Sequence, residues 1–162
     1  MTESHFELSA THGVFLAIRI GGVVHAVPIR FVEEVLPALP VETIAQLPAF
    51  VRGVVFVRGH LIPVLDGAER LGLPPRPEWI EPHLLCLNIE GRLIGLEIDE
   101  AMDLIELPGE EQVSIPKLGG TASFLSAVID HQGEIVRILN PEKLLRNDEV
   151  SRLSETISIQ PE

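Results

Sequence analysis

The chain has 162 residues, of which 46% are hydrophobic, so it can bury the core of one compact domain or of two small ones. Its 24 Asp and Glu against 12 Lys and Arg give a net charge of −12, which argues against nucleic acid or an anionic membrane surface as a partner. No apolar stretch approaches the roughly 20 residues of a membrane span, no signal pattern opens the chain, and the single cysteine, Cys86, has no internal disulfide partner. We therefore expect a cytoplasmic protein without disulfides.

Short β-branched segments, split by glycine-containing turns, predict four β-hairpins in chain order. The hairpins cover residues 15–29, 51–65, 84–98 and 127–139. Two short helices are also predicted, one over residues 30–36 and one over residues 141–146, where Asn140 is the N-cap and proline follows it. Residues 1–12 and 150–162 are polar without periodicity, and we expect them to be flexible tails.

The hairpins form an internal repeat. Residues 15–36 superpose without a gap on residues 84–105, at an offset of 69, and residues 50–71 superpose on residues 124–145, at an offset of 74. Short strands of this kind bury their apolar face best by closing up. The repeat thus predicts an all-β molecule of two small barrels or coiled sheets, about five strands each, with pseudo-two-fold symmetry. The midpoint of the sequence puts the lobes at about residues 13–79 and 80–146, and strand exchange between them stays open.

Motifs for catalysis or metal binding are missing from the sequence. No nucleophile elbow, phosphate-binding loop, dinucleotide fingerprint or C-x-x-C pair occurs, and the histidines include no pair at metal-ligand spacing. We expect Cys86 to behave as a small buried hydrophobe. His25, His60 and His131 lie at or beside hairpin turns, and we expect each to be solvated or to cap its turn. The alternative is a small β-barrel enzyme or ligand-binding protein that would use His60, Asp66, Asp99, Glu100 and Asp103.

Charge is distributed unevenly along the chain. Residues 78–111 hold ten carboxylates against Arg92 alone, whereas residues 13–77 are nearly balanced. The acidic stretch is either a solvated face or a docking surface for a basic partner.

The turn Arg58-Gly59, at the tip of the second hairpin, carries the most information about function. Gly59 supplies the positive φ that such a turn needs. Arg58 cannot be buried there, so it must face water, an acid or a partner. Glu34 is the candidate acid, but an exposed pair adds little stability. An arginine held on a rigid turn can contribute more to binding a partner than it contributes to the stability of the fold.

In their order and spacing these segments resemble the CheW-like family, the coupling proteins of bacterial chemotaxis arrays. The resemblance covers residues 13–146, as a single CheW-like domain of two lobes. Its main carriers are the opening hairpin over residues 15–29, Val32-Glu33-Glu34-Val35, Val57-Arg58-Gly59, Pro63-Val64-Leu65-Asp66 and the closing segment over residues 138–145.

The resemblance implies two five-stranded, SH3-like β-barrels with no catalytic activity. From the residues themselves we expect no cofactor and no metal. The resemblance also implies a scaffold that joins the cytoplasmic tips of chemoreceptors to the regulatory domain of the histidine kinase CheA, with the receptor in the groove between the lobes. Such a protein is cytoplasmic and is recruited to membrane-associated receptor arrays. The positions that match the family's interface motifs are Glu34, Val35, Arg58 and Gly59.

Two departures from the family pattern lie next to turns that we expect to belong to the interface. Phe56 stands where the family usually has Asn, and Glu97 stands where an apolar residue is common. Both change size or charge, so they leave the identity of the partner open. A CheW-like adaptor of another receptor–kinase pathway, such as twitching motility, is therefore an alternative.

Overall fold

The computed structural model describes residues 12–109, 113–114 and 124–157. The strands in these ranges are β1 (His12–Ile20), β2 (Val23–Pro28), β3 (Val32–Leu36), β4 (Val51–Val57), β5 (His60–Asp66), β6 (His83–Ile89), β7 (Arg92–Ile98), β8 (Glu100–Pro108), β9 (Val113–Ser114), β10 (Leu125–His131) and β11 (Glu134–Leu139). The α-helices are α1 (Gly67–Leu71) and α2 (Asn147–Ile157), and 3-10 turns occur at Ile29–Phe31 and Pro141–Lys143. None of the helices in the described ranges is long and apolar enough to cross a membrane.

All four predicted hairpins are confirmed: β1–β2, β4–β5, β6–β7 and β10–β11. Each turns through two residues with positive φ, which is the backbone of a type I′ turn and matches the right-handed twist of the strands. The turn residues are Gly21 and Gly22 (58° and 78°), Arg58 and Gly59 (47° and 81°), Glu90 and Gly91 (54° and 84°), and Gln132 and Gly133 (54° and 82°).

The strands form two sheets with the same plan. Lobe A has the order β8-β1-β2-β11-β10, with the two-residue β9 added at the end, and lobe B has the order β3-β6-β7-β5-β4. At the repeat offsets of 69 and 74, each strand of lobe B corresponds to the strand at the same place in the order of lobe A. The registers agree as well, because the parallel pair Ile138↔Ala26 becomes Val64↔Gly95. The predicted all-β fold of two repeat-related lobes is therefore confirmed.

The lobes do not divide the chain at residues 79 and 80, which corrects the sequence-midpoint boundary. Hairpin β1–β2 pairs with β8 and β11 in lobe A, while β6–β7 joins β3 and β5 in lobe B. The chain therefore passes from lobe A to lobe B and back. A repeat shows which hairpins are equivalent but not which hairpins pair, so the exchange was not decided by the sequence.

The buried apolar side chains of the described residues form three clusters. Lobe A has its own core around Phe15 and Ile129, and lobe B has its own core around Ile62 and Cys86. The third cluster, here the shared core, combines strands of both lobes and the helices that follow them. Its buried members include Leu16, Ile18, Ile20, Leu65, Leu85, Leu96, Leu139, Leu144 and Leu153. The shared core joins the two lobes into one packed body.

The helix predicted over residues 30–36 is wrong for most of its length. Only Ile29–Phe31 forms a 3-10 turn, and the residues after it form β3, which pairs with β6. Two β-branched valines, Val32 and Val35, favour a strand, and both pack against the shared core. Pairing with β6 therefore overrides the local helical tendency.

The C-terminal prediction is partly wrong. Asn140 does start a helical turn, because its Oδ1 accepts from the backbone N–H of Glu142 at 3.2 Å, but this 3-10 turn ends at Lys143. The α-helix begins later and covers Asn147–Ile157, so residues 150–157 are not a flexible tail. The burial of Glu149 and Leu153 fixes this helix to the shared core. Residues 1–11 and 158–162, the rest of the predicted tails, lie outside the described ranges.

Candidate interaction surface

The turn between β4 and β5 holds Arg58 at the surface. Its side chain is 69% exposed, and both turn residues have positive φ. A Cβ on Gly59 would meet no atom within 4 Å, so the backbone conformation, and not a lack of space, requires glycine. The predicted positive φ of Gly59 and the exposure of Arg58 are both confirmed.

Arg58 binds Glu34 through both of its terminal nitrogens. Nη1 donates to Oε2, and Nη2 donates to Oε1 at 2.8 Å. Glu34 lies on β3 and Arg58 follows β4, which are the two end strands of lobe B's sheet. In a flat sheet these strands would lie roughly 19 Å apart, at about 4.8 Å per strand. The sheet must therefore coil until its ends meet, and this seam pair (Glu34 and Arg58) bridges the gap.

The seam pair favours the charged form of both groups. Its hydrogen bonds hold the pKa of Glu34 below its usual value and raise the pKa of Arg58. Both side chains reach solvent, so water and salt screen the attraction and its contribution to stability is small. The bidentate geometry nevertheless fixes the plane of the guanidinium. The result is a charged group held in a defined orientation at the surface.

Val35 does not share this exposure. It pairs with Leu85 on β6, is half-buried, and packs against the shared core. The structure therefore brings Glu34, Arg58 and Gly59 together at the seam, while Val35 lies on the strand beside them and contacts the interior.

The residues of the alternative metal or ligand site do not converge. Asp99 accepts from the N–H groups of Gly21 and Gly22, at 3.3 and 2.8 Å, and so caps the first hairpin turn. His60 and Asp66 stand at opposite ends of the seven-residue β5, roughly 20 Å apart. Within the part of the chain that the structure describes, no three His, Cys, Asp or Glu side chains are grouped to hold a metal ion.

Cys86 and His25 are both buried. Cys86 belongs to lobe B's own core, and burial raises the pKa of its thiol to about 11, so the thiol stays protonated at neutral pH. The solvated alternative for His25 is wrong, because this side chain is only 2% exposed. Its Nδ1 donates to the carbonyl oxygen of Val23 at 3.0 Å, and burial lowers its pKa to about 4.

The two departures from the family pattern lie in different surroundings. Phe56 is 68% exposed on β4, two residues before Arg58. Glu97 is buried on β7, and burial raises its pKa. Its Oε1 accepts no hydrogen bond from the described residues, since Nε of Arg52 lies 3.6 Å away. Phe56 is therefore available to a partner, and Glu97 is not.

Sequence reasoning missed a polar contact between the lobes, made by Arg70. The guanidinium of Arg70 lies between the rings of Phe50 and Phe124, with its central carbon 3.9 and 4.8 Å from their centroids. It also donates to the Leu144 carbonyl and to Glu149 Oε1, both at 2.7 Å. The repeated phenylalanines, which match at the offset of 74, were the signal in the sequence.

An exposed apolar strip was also missed. Val14 on β1 and Leu104 on β8 are 41% and 62% exposed. Leu104 pairs with Leu16, and alternation places Val14 on that same face of the sheet. Because Leu16 belongs to the shared core, the strip extends the surface between the lobes outward into solvent.

Comparison with known proteins decides the family. Residues 14–149 match the family described as the CheW-like domain. The chain belongs to the CheW-like family. The resemblance predicted from the sequence is thus confirmed over most of the chain.

Several members of the CheW-like family show how far the similarity extends. Chemotaxis protein CheW of Rhizobium meliloti is 22% identical over 151 residues, which are 92% of this chain and 97% of that protein. Protein FrzA of Myxococcus xanthus is 31% identical over 144 residues, 82% of this chain and 84% of that one. The crystal structure of the scaffolding protein TtCheW from Thermoanaerobacter tengcongensis superposes with a TM-score of 0.75 at 20% identity, over 85% of this chain and 90% of that one. The CheW-like chain therefore shares its two-lobed β fold with a solved member of the family.

Proposed function

We propose that this protein is a non-catalytic adaptor that couples chemoreceptors to a CheA-type histidine kinase in chemotaxis signalling. Membership of the CheW-like family supports this role, as do relatives that are named chemotaxis protein CheW. The observation that carries the proposal is the seam pair, because it holds a 69% exposed arginine in a fixed orientation without a corresponding gain in stability.

The two partners would occupy different surfaces. Glu34, Arg58 and Gly59 form the kinase-binding region at the seam of lobe B, and Val35 supports it from the strand beside them. The apolar strip of Val14 and Leu104 suits the helical tip of a chemoreceptor, because a helix presents its apolar face to an apolar surface. Holding both partners in one geometry lets a conformational bias of the receptor reach the kinase. In this role residues 13–146 act as one domain, in the cytoplasm and at membrane-associated receptor arrays.

Calorimetric titration tests the proposal directly. The full chain is titrated with the regulatory domain of a CheA-type kinase and with a receptor-tip fragment from the same genome. We expect binding to both, and we expect Arg58→Ala to weaken kinase binding at least tenfold. Gln132→Ala is the matched control, because Gln132 takes the place of Arg58 in the turn of lobe A. Failure of the wild-type chain to bind any such pair would contradict the proposed function.

The second candidate is an adaptor of a different receptor–kinase pathway, such as one that controls twitching motility. It is favoured by the similarity to a relative with a different name, protein FrzA, at 31% identity. The same titration distinguishes the two candidates when it is run with regulatory domains from each receptor–kinase system of the genome. Preference for a kinase outside the chemotaxis system would support the second.

A further inference from the structure

Phe56 is an exposed aromatic side chain that lies outside the apolar clusters of the described residues. It lies on the outer face of the β4–β5 hairpin, opposite Leu61, and 68% of it is accessible to solvent. The residues on either side of it, Val55 and Val57, pack in lobe B's own core. A phenylalanine left in water forgoes the stabilisation that its burial would bring.

The equivalent residues of two other hairpins show what the turn itself prefers. Asn88 and Asp130 each stand three residues before the turn glycine, as Phe56 stands before Gly59. Their Oδ1 atoms accept from the N–H groups of Gly91 and Gly133, both at 2.9 Å. Phenylalanine has no acceptor, so this turn lacks the side-chain cap that the other two possess. A residue that breaks a local rule without a gain in packing marks a position used for function.

The surroundings of Phe56 indicate the shape and chemistry of its partner. Phe56 and Arg58 are 68% and 69% exposed on one hairpin tip, so they protrude from lobe B. A protruding tip complements a concave surface, which a folded domain offers and a helical rod does not. Aromatic residues, phenylalanine among them, and arginine are enriched in protein interfaces relative to the rest of the surface. Arg58 stays 69% exposed while it binds Glu34, so its guanidinium can also meet an acidic group of the partner without leaving the seam pair.

We propose that Phe56 determines which kinase regulatory domain this adaptor accepts, by entering an apolar pocket that lies beside an acidic side chain for Arg58. This inference rests on the proposed function and names the kinase domain, not the receptor tip, as the partner at this surface.

The test is a calorimetric titration of the CheA-type regulatory domain from the same genome into the full chain and its variants. Phe56→Ala and Phe56→Asn are each expected to weaken binding at least tenfold. Phe56→Asn also provides the missing cap for Gly59, so its unfolding temperature should equal or exceed that of the wild type. The matched control is Ile135→Ala, which removes an exposed apolar side chain beside the equivalent turn of lobe A and should change the affinity by less than about twofold.

Each remaining outcome overturns a defined part of the inference. If Phe56→Asn binds within about twofold of wild type while Arg58→Ala does not bind, Phe56 has no role in specificity and the proposed function stands. If Phe56→Asn unfolds at a lower temperature, the side chain is structural. An equal loss of receptor-tip binding would overturn the assignment to the kinase. If the wild-type chain binds neither partner, the inference and the proposed function both fail.

Discussion

The two lobes have the same backbone plan and differ in the side chains at their seams. At the repeat offsets, Glu34 and Arg58 of lobe B correspond to Asp103 and Gln132 of lobe A. Lobe A therefore has an acid at the first position but no arginine at the second. The difference extends to Phe56, whose counterpart Asp130 caps its own turn through Gly133. At this pair of equivalent turns, lobe A has a side chain that caps the turn, and lobe B has a side chain that faces solvent.

The symmetry of the fold therefore does not extend to its surface. Most buried positions stay apolar in both lobes because each sheet must cover a core and both must meet across the shared core. Exposed positions are free of that demand, so they can diverge without loss of the fold. The positions where equivalent turns carry different chemistry are therefore the first places to look for a binding surface.

The largest expected effect comes from breaking the contact between the lobes. Arg70→Ala removes both ring contacts and leaves Glu149, which is 4% exposed, without its buried partner. Removing one member of a buried ion pair destabilises by about 3–5 kcal/mol, because the other charge stays out of water. Denaturant unfolding measures this loss.

Two further variants separate the buried charge from the packing. Arg146→Ala removes an arginine that also approaches Glu149, at 3.5 Å, but whose side chain is 70% exposed, so we expect a change of less than about 1 kcal/mol. Arg70→Leu with Glu149→Leu should recover most of the stability. If this double variant is as unstable as Arg70→Ala, the ring contacts and not the ion pair hold the lobes together.

How much of this could be predicted depends on whether the decisive contact is local. The hairpins were predictable because β-branched runs and turn glycines such as Gly59 and Gly133 act over a few residues. Strand exchange, β3 and helix α2 were not, because each depends on pairing or burial between segments far apart in the chain. The repeat also identified equivalent hairpins, since a common apolar pattern is retained in both lobes.

In the candidate site, too, the local features could be predicted from the sequence and the long-range contacts could not. The exposure of Arg58 followed from its place in a two-residue turn, and Glu34 was named as a candidate partner. Their bidentate geometry required the coiling of lobe B, which no local pattern reports. Arg70 was missed because its partners come from three separate segments, although the matching phenylalanines pointed to the place where the halves meet.

The next largest effect is expected at a buried histidine of lobe A, His25, whose counterpart in lobe B is Ile94. Burial lowers its pKa from 6.5 to about 4, an effect to which Arg137 adds, and which Asp99 and the Val23 carbonyl oppose. The unfolded chain therefore binds a proton between these values that the folded chain does not. Stability should fall by about 3 kcal/mol as the pH drops from about 6.5 to about 4. Denaturant unfolding across this range measures it.

His25→Ile copies the residue of lobe B and provides the control for the pH effect. It should flatten the stability profile between about pH 6.5 and pH 4 while the other titrating groups stay the same. An unchanged slope in this variant would show that other groups cause the acid sensitivity. The comparison of wild type and variant tests whether His25 in lobe A causes the loss of stability at low pH.

A smaller effect is expected at Glu97, whose counterpart in lobe A is Pro28. Its Oε1 is buried without a hydrogen bond from the described residues, and burial raises the pKa. A raised pKa favours the folded state at low pH, and that contribution is lost as the pH rises through the folded value. Glu97→Leu should therefore stabilise the protein by about 1 kcal/mol at pH 7 and by less near pH 4. A loss of stability at pH 7 would show that Arg52 compensates the buried charge.

The smallest effect on stability is expected at the seam pair, where a charge exchange separates structure from binding. Glu34→Arg with Arg58→Glu keeps two opposite charges at the seam but reverses their positions. Because the pair is exposed and screened, the unfolding temperature should change by no more than about 3 °C. Kinase binding, in contrast, should stay as weak as in Arg58→Ala, since a partner that matches an arginine on this tip would meet a glutamate there. If the exchange restores binding, the pair serves only to close lobe B, and the contact surface must lie elsewhere on the lobe.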